Sequence, residues 1–144
     1  MPVLARKTRR WVACFIDFSI CFLIIGLIAY CFGTATPNDE GETSWNLTGF
    51  PAFFAFSIPW LIFLPGMEWI NNGQTIGKAI LRIKVTNMDG SKAGFGTLLL
   101  KHFFDWVDYL PFFGIVGLIV AANNPQKQRV GDLVAKTIVV DKQR

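Results

Sequence analysis

The chain has 144 residues, of which 52% are hydrophobic and only 17% are charged. Soluble domains carry about 25% charged residues, and a soluble fold of this size has too little interior to hide so much apolar side chain. The composition argues against a water-soluble domain and predicts one domain in a lipid bilayer. The net charge of +4 does not indicate nucleic acid, because the basic residues flank apolar runs and no aromatic–basic binding module is recognisable.

The first apolar run, residues 11–32, follows a basic segment that ends at Arg10. As a helix it spans about 33 Å, which matches the hydrocarbon core of a bilayer, and it is too long for the core of a signal peptide. We therefore predict a retained transmembrane helix. Its cysteines, Cys14, Cys21 and Cys31, are expected to be buried free thiols, because their number is odd and no metal-ligand spacing is present.

Asp17 interrupts this run about 9 Å inside the predicted span, where a carboxylate needs a partner, a proton or water. Helical spacing puts Arg10, Cys14, Asp17 and Cys21 on one stripe, which is expected to face protein rather than lipid. Arg10 is not expected to bridge to Asp17, because helical side chains lean toward the N-terminus. Two interpretations of Asp17 stay open: a proton- or cation-binding carboxylate, or a structural ion pair or hydrogen bond that locks helices together.

An acidic stretch follows, and then a second apolar run, residues 47–70, which we predict to be the second transmembrane helix. Pro51 suits its first turn, and Pro59 is expected to kink it. The positive-inside rule puts the basic N-terminus in the cytoplasm and the acidic loop outside. The basic loop after the second run and the basic C-terminal tail are likewise predicted to be cytoplasmic.

The segment from Gly73 to Lys78 superficially resembles a phosphate-binding loop. The gap between its glycines is one residue too short, and Ala79 stands where a Ser or Thr would bind magnesium. We reject nucleotide binding and expect Gly73 and Gly77 to allow close backbone approach. Hydrolase signatures are absent from the sequence, and we expect neither an enzyme nor a cofactor or metal.

Two short segments, about residues 82–87 and 137–140, are predicted strands that pair into a small cytoplasmic sheet. Between them lies a helical segment, residues 95–122, whose purely apolar part is too short to span a bilayer alone. Because both its flanks are basic, we favour a re-entrant or interfacial hairpin with a turn near Leu110 and Pro111. A tilted single span is the alternative.

Lys101, Asp105 and Asp108 share one helical face in this segment. Two carboxylates one turn apart can hold a cation, or can titrate together with one pKa raised. The alternative is an ordinary polar face of an interfacial helix, with Lys101 neutralising Asp105. Further along, Asp132 follows Gly131 and is predicted to cap a short helix or to pair with Arg10.

These residues together resemble the RDD family of small bacterial multi-pass membrane proteins, which is named for one arginine and two aspartates. Arg10, Asp17 and Asp132 match those three residues. The other similarities are the Gly73 to Lys78 segment, residues 85–90, Leu110 with Pro111, and residues 136–140. Lys136 stands where the family pattern usually has Gly. The resemblance implies the inner cell membrane and the transport of ions or other solutes, with cation/proton exchange for some members.

We therefore predict an all-α membrane protein of one domain, residues 1–144, with two transmembrane helices, the third helical segment and a small cytoplasmic β element. Both termini are predicted to be cytoplasmic. The expected partners are the lipid bilayer and either further copies of the chain or another membrane protein.

Two functions stay open. The first is cation/proton exchange or solute transport, with Asp17, Asp105 and Asp108 as binding carboxylates. It requires a homo-oligomer, because two spans and a hairpin make a poor pathway. The second is a non-catalytic scaffold or accessory subunit. In both, the structural charge partners are Arg10, Asp132 and Lys101.

Overall fold

The structure, a computed structural model, describes residues 3–37, 41–109 and 114–142. The elements are α1 (Lys7–Phe32), β1 (Thr34–Pro37), β2 (Thr43–Asn46), α2 (Gly49–Leu61), a π-helical turn (Ile62–Gly66), α3 (Met67–Ile70), α4 (Ile76–Ile80), β3 (Ile83–Asn87), α5 (Phe95–Phe103), α6 (Asp105–Tyr109), α7 (Ile115–Ala122), α8 (Val130–Ala135) and β4 (Thr137–Asp141). The fold is mostly helical, as expected, with two small two-stranded sheets in this part of the chain.

Two helices in the described residues are long and apolar enough to cross a membrane: α1 and the continuous run Gly49–Ile70. α1 begins at Lys7, one turn before the apolar run, and α2 begins at Gly49. Both helices expose large apolar side chains along their length: Phe15, Phe22, Leu23, Leu27, Phe32, Phe50, Phe53, Phe54 and Ile58. Lipid is a favourable solvent for such a surface, and water is not.

The second of these helices continues through Pro59 and changes geometry at Ile62–Gly66. Pro65 lies in this turn and has no N–H to donate to the preceding turn, so the hydrogen-bond ladder relaxes to π geometry there. α2 continues as a helix through Pro59, and the change to π geometry lies in the turn that contains Pro65. Regular helix resumes at Met67, and Glu68 directly after it is fully buried.

An antiparallel hairpin of β1 and β2, which was not predicted, joins the C-terminal end of α1 to the N-terminal end of α2. Polar side chains stabilise it: the hydroxyls of Thr36 and Ser44 lie 3.2 Å apart, and Asn46 donates to Thr36 Oγ1 at 2.8 Å. Gly41, with φ of +78°, adopts the left-handed conformation in its loop.

The two predicted strands correspond to β3 and β4, which pair antiparallel from Ile83 opposite Asp141 to Asn87 opposite Thr137. The segment before α1 joins the same sheet, since Leu4 bridges Val140. A small apolar core covers the sheet, formed by Ala5, Ala13, Ile83, Val85, Ala93, Leu98 and Val139. The loop after α3 also contacts this sheet, since the Val85 N–H donates to the Gly73 carbonyl. One end of the molecule therefore brings together the start of α1, this loop and the C-terminal strand.

The third helical segment is divided into three short helices, α5, α6 and α7. Its two flanks lie at the sheet: Ala93 is in the core of the sheet, and Gln128 donates to the Thr137 carbonyl at 2.8 Å. The segment therefore leaves and returns at the same end of the molecule. The turn predicted near Leu110 and Pro111 lies outside the described residues.

Candidate functional site

Ten buried ionisable side chains in the described residues gather at this end of the molecule, between the long helices and the sheet. We call them the ionic cluster: Arg10, Asp17, Glu68, Lys78, Lys101, His102, Asp105, Asp108, Arg129 and Asp132. None is more than 7% exposed. A buried charge is destabilising unless it is paired and hydrogen-bonded, so the partners within the cluster determine what it can do.

Arg10 and Asp132, predicted to pair, form a buried ion pair. Arg10 also donates to the Lys127 carbonyl, and Thr137 Oγ1 donates to the second oxygen of Asp132 at 3.2 Å. The Arg129 backbone N–H donates to Asp132 at 3.2 Å, so the carboxylate also caps the start of α8. Burial raises the pKa of Asp132, but the positive charges of Arg10, Lys101 and Arg129 outweigh it and hold the pKa below its ordinary value.

Asp17 bonds to the loop that resembled a phosphate-binding loop. The Thr75 hydroxyl donates to one of its oxygens at 2.5 Å, and the Gly77 backbone N–H donates to the other at 2.7 Å. This loop therefore binds a carboxylate of its own chain. Both glycines allow close approach as expected: a Cβ on Gly77 would collide with the Ala13 carbonyl, and one on Gly73 with the Val85 carbonyl.

We expect Gly77→Ala to lower the free energy of unfolding by about 1–3 kcal/mol, because the added methyl forces α4 away from α1. The same shift weakens the hydrogen bond from the Gly77 N–H to Asp17. The measurement is thermal unfolding of the purified protein in detergent micelles. Gly26→Ala in α1 is the control, since its new methyl meets open space, and it should cause no loss. Equal melting temperatures for the two variants would contradict the steric argument.

Glu68 contacts three other members of the ionic cluster, and it was not among the site residues predicted from the sequence. Lys78 donates to its Oε1, and Lys101 donates to its Oε2 at 3.2 Å. His102 Nε2 lies 2.7 Å from the same Oε2. The sequence did contain an indication of its importance: Glu68 falls inside the predicted second span, and an ionisable residue within a span indicates a functional or structural site.

Asp105 and Asp108 have separate hydrogen-bonding partners within the protein. Asp105 lies 2.5 Å from His102 Nδ1, whereas Asp108 accepts from the backbone N–H groups of Val130 and Gly131 at 3.2 and 3.1 Å. Burial raises the pKa of Asp108 above its ordinary value. Burial also raises that of Asp105, but the contact with His102 and the positive charges of Lys101 and Lys78 together outweigh it, so the pKa of Asp105 lies below its ordinary value.

The interfacial polar face predicted around Lys101 is wrong in two respects. These side chains are buried rather than solvated, and Lys101 pairs with Glu68 instead of neutralising Asp105 directly. The physical reason is the position of Glu68 at the end of the second long helix, where its carboxylate comes within reach of α5.

The predicted stripe on α1 faces protein, as expected. Arg10, Asp17 and Cys21 are buried, and Cys14 is half-buried and lines the cavity between the charged side chains. Arg129 Nη1 lies 3.1 Å from the Cys14 sulfur. All three cysteines are free thiols, but only Cys21 is buried; Cys14 is half-buried and Cys31 is exposed, which corrects the expectation that all three are buried.

A cavity of about 20 Å³ opens among the charged side chains. Its lining combines cations with carboxylates: Arg10, Lys78, Lys101, Arg129, Asp105, Asp108 and Asp132. A space of this size holds about one water molecule. It is polar enough to keep that water, but it is too small for an organic solute.

The chain matches the family model described as the RDD family over residues 4–136. The chain belongs to the RDD family. The match covers every member of the ionic cluster. Neither the curated proteins nor the solved structures that were compared with the chain give a match.

In this RDD protein the three residues that match the family's arginine and aspartates lie in one cluster but make different contacts. Arg10 and Asp132 contact each other, while Asp17 bonds to Thr75 and Gly77. Lys136, where the resemblance implies Gly, ends α8 in the left-handed conformation at φ of 52°. Glycine adopts that conformation at a helix end without strain.

Family membership and the two long apolar helices together indicate a membrane protein.

Proposed function

We propose that the protein is a non-catalytic integral membrane module, a scaffold or accessory subunit, in which the ionic cluster fixes two transmembrane helices to a cytoplasmic sheet. One observation carries the proposal: every buried carboxylate in the described residues already has hydrogen-bonding partners within the protein. The carboxylates are Asp17, Glu68, Asp105, Asp108 and Asp132. A transport site, in contrast, needs carboxylates that exchange their partners for an ion.

The distribution of charge along the two spans supports this proposal. The ionisable side chains of the cluster on α1 lie between Arg10 and Asp17, and the rest of α1, residues 18–32, carries no Asp, Glu, Lys or Arg. α2, Gly49–Leu61, also has none. A single protomer therefore has no charged path toward the hairpin of β1 and β2 along its two long helices.

The proposed orientation puts the ionic cluster, the sheet and both termini on the cytoplasmic side of the inner cell membrane. The basic segments adjoin this end of the molecule, as the positive-inside rule requires. The third helical segment is proposed to be re-entrant or interfacial, because its two flanks meet at the same sheet and its described helices are each too short to span a bilayer. The exposed apolar faces of α1 and α2 are proposed to contact lipid and either further copies of the chain or another membrane protein.

A second candidate function is cation/proton exchange by a homo-oligomer. The cavity favours it, because Asp105, Asp108 and Asp132 line a polar space beside four cationic side chains. The raised pKa of Asp108 brings that carboxyl closer to the pH range in which a proton and a cation compete. Further protomers would have to supply the path across the bilayer.

Reconstitution in lipid vesicles separates the two functions. Cation-driven proton movement is measured with a pH-sensitive dye for the wild type and for Asp108→Asn. The module predicts no movement above that of empty vesicles from well-folded wild-type protein. Movement in the wild type that Asp108→Asn abolishes, with the variant still folded, would overturn the module and support exchange. Asp89→Asn, a change in an exposed loop, is the control variant.

A further inference from the structure

We propose that the ionic cluster contains a proton-binding site at His102, whose ring is doubly protonated at neutral pH and bridges Asp105 and Glu68. The ring holds this proton in the resting cluster, whether or not the protein transports anything.

Both ring nitrogens of His102 face carboxylate oxygens. Nδ1 lies 2.5 Å from Asp105 Oδ2, and Nε2 lies 2.7 Å from Glu68 Oε2. A neutral imidazole has one donor and one acceptor nitrogen, whereas an ionised carboxylate only accepts. A neutral ring would therefore put an unprotonated nitrogen against an acceptor on one side. The imidazolium donates to both carboxylates, and charge-assisted hydrogen bonds of this kind are short.

The charge count of the ionic cluster leads to the same conclusion. In the described part of the chain the cluster has four cationic side chains, Arg10, Lys78, Lys101 and Arg129. It has five carboxylates: Asp17, Glu68, Asp105, Asp108 and Asp132. With all five carboxylates ionised, the buried charge is −1 when His102 is neutral and zero when its ring carries the extra proton. Because an uncompensated buried charge is strongly destabilising, the cluster favours one extra proton, and the carboxylates that face both ring nitrogens favour its position on His102.

The charged groups around His102 belong to several elements. α3 presents Glu68, and α6 presents Asp105. Lys78 from α4 and Lys101, the neighbour of His102 on α5, both bind Glu68. α8 packs along α5, and the charge of its Asp132 acts on Lys101. The two lysines stabilise the ionised form of Glu68, so the extra proton is favoured on the ring rather than on that carboxylate.

His102 is the only histidine in the chain, so labelling histidine with nitrogen-15 reports on this ring alone. The protein is placed in lipid nanodiscs at about pH 7.5, where a free histidine side chain with a pKa of about 6.5 is mostly neutral. We expect both ring nitrogens to carry protons and to give two signals at similar chemical shifts. A neutral ring, with one protonated and one bare nitrogen at widely separated shifts, would overturn the proposal.

Asp105→Asn provides the second measurement. It leaves four cations against four carboxylates, and the new amide can donate to the ring. We expect the ring to become neutral at the same pH, while Asp89→Asn leaves it doubly protonated. If the ring is doubly protonated in the wild type and also in folded Asp105→Asn protein, charge balance is not the cause of its protonation. If Asp105→Asn does not fold, the wild-type spectrum decides the proposal on its own.

Discussion

Glu68→Gln is expected to lower the free energy of unfolding by about 3–5 kcal/mol, the range seen when one partner of a buried ion pair is removed. The change leaves the buried ammonium groups of Lys78 and Lys101 without their carboxylate. Glu68 is also completely buried, so water cannot replace the lost contacts. Thermal unfolding in detergent micelles, followed by circular dichroism, measures the loss.

Asp89→Asn is the matched control for this prediction. Asp89 is also an acid, but its hydrogen bonds go to Ser91 in an exposed turn, and an amide oxygen can accept the same bonds. A surface change of this kind should stay within about 0.5 kcal/mol. If Glu68→Gln is as stable as Asp89→Asn, then Glu68 is not the centre of the ionic cluster.

Arg10→Met and Asp132→Asn are each expected to lower the free energy of unfolding by about 3–5 kcal/mol, since each leaves a buried partner unpaired. The double variant should lose less than the sum of the two single losses, because the second change removes a group that the first left unpaired. Contacting residues typically show coupling energies of about 0.5–3 kcal/mol. The same micelle assay on the four proteins of the cycle measures the coupling.

Arg9, the residue before Arg10, provides the control for this cycle. Arg9 forms an ion pair with Asp141 at 3.2 Å, but the side chains are 50% and 32% exposed. Exposed pairs contribute only about 0–1 kcal/mol, so Arg9→Met should leave stability nearly unchanged. Simple additivity of the Arg10 and Asp132 losses would mean that their contact does not stabilise the fold.

The two long helices could be predicted because their signal is local. Length and hydropathy along residues 11–32 and 47–70 are enough to predict a helix that fits a bilayer. The structure moves their first residues to Lys7 and Gly49 and adds the π-helical turn. These differences are small, since chain ends and prolines adjust the geometry without changing which residues are apolar.

The Arg10–Asp132 contact could also be predicted from the sequence, although the two residues are 122 positions apart. A charged residue at the end of a predicted span needs a partner of opposite charge. In addition, the two predicted strands can pair only if both lie on the same side of the membrane. Glu68 was missed for the opposite reason. Its partners Lys101 and His102 lie 33 and 34 positions away, on a helix whose position no local pattern predicts.

The amino-acid sequence alone was enough to predict which segments are apolar enough for a bilayer, which flanking segments are basic, and which acidic residues lie within apolar runs. Hydropathy and charge are properties of single residues and short windows, so they can be read along the chain. The folded arrangement was needed to show which cation each acidic side chain binds, that Asp105 and Asp108 have separate partners, and that His102 lies between two carboxylates. Those choices depend on distances of a few ångströms between distant segments, and the packing of the helices sets them.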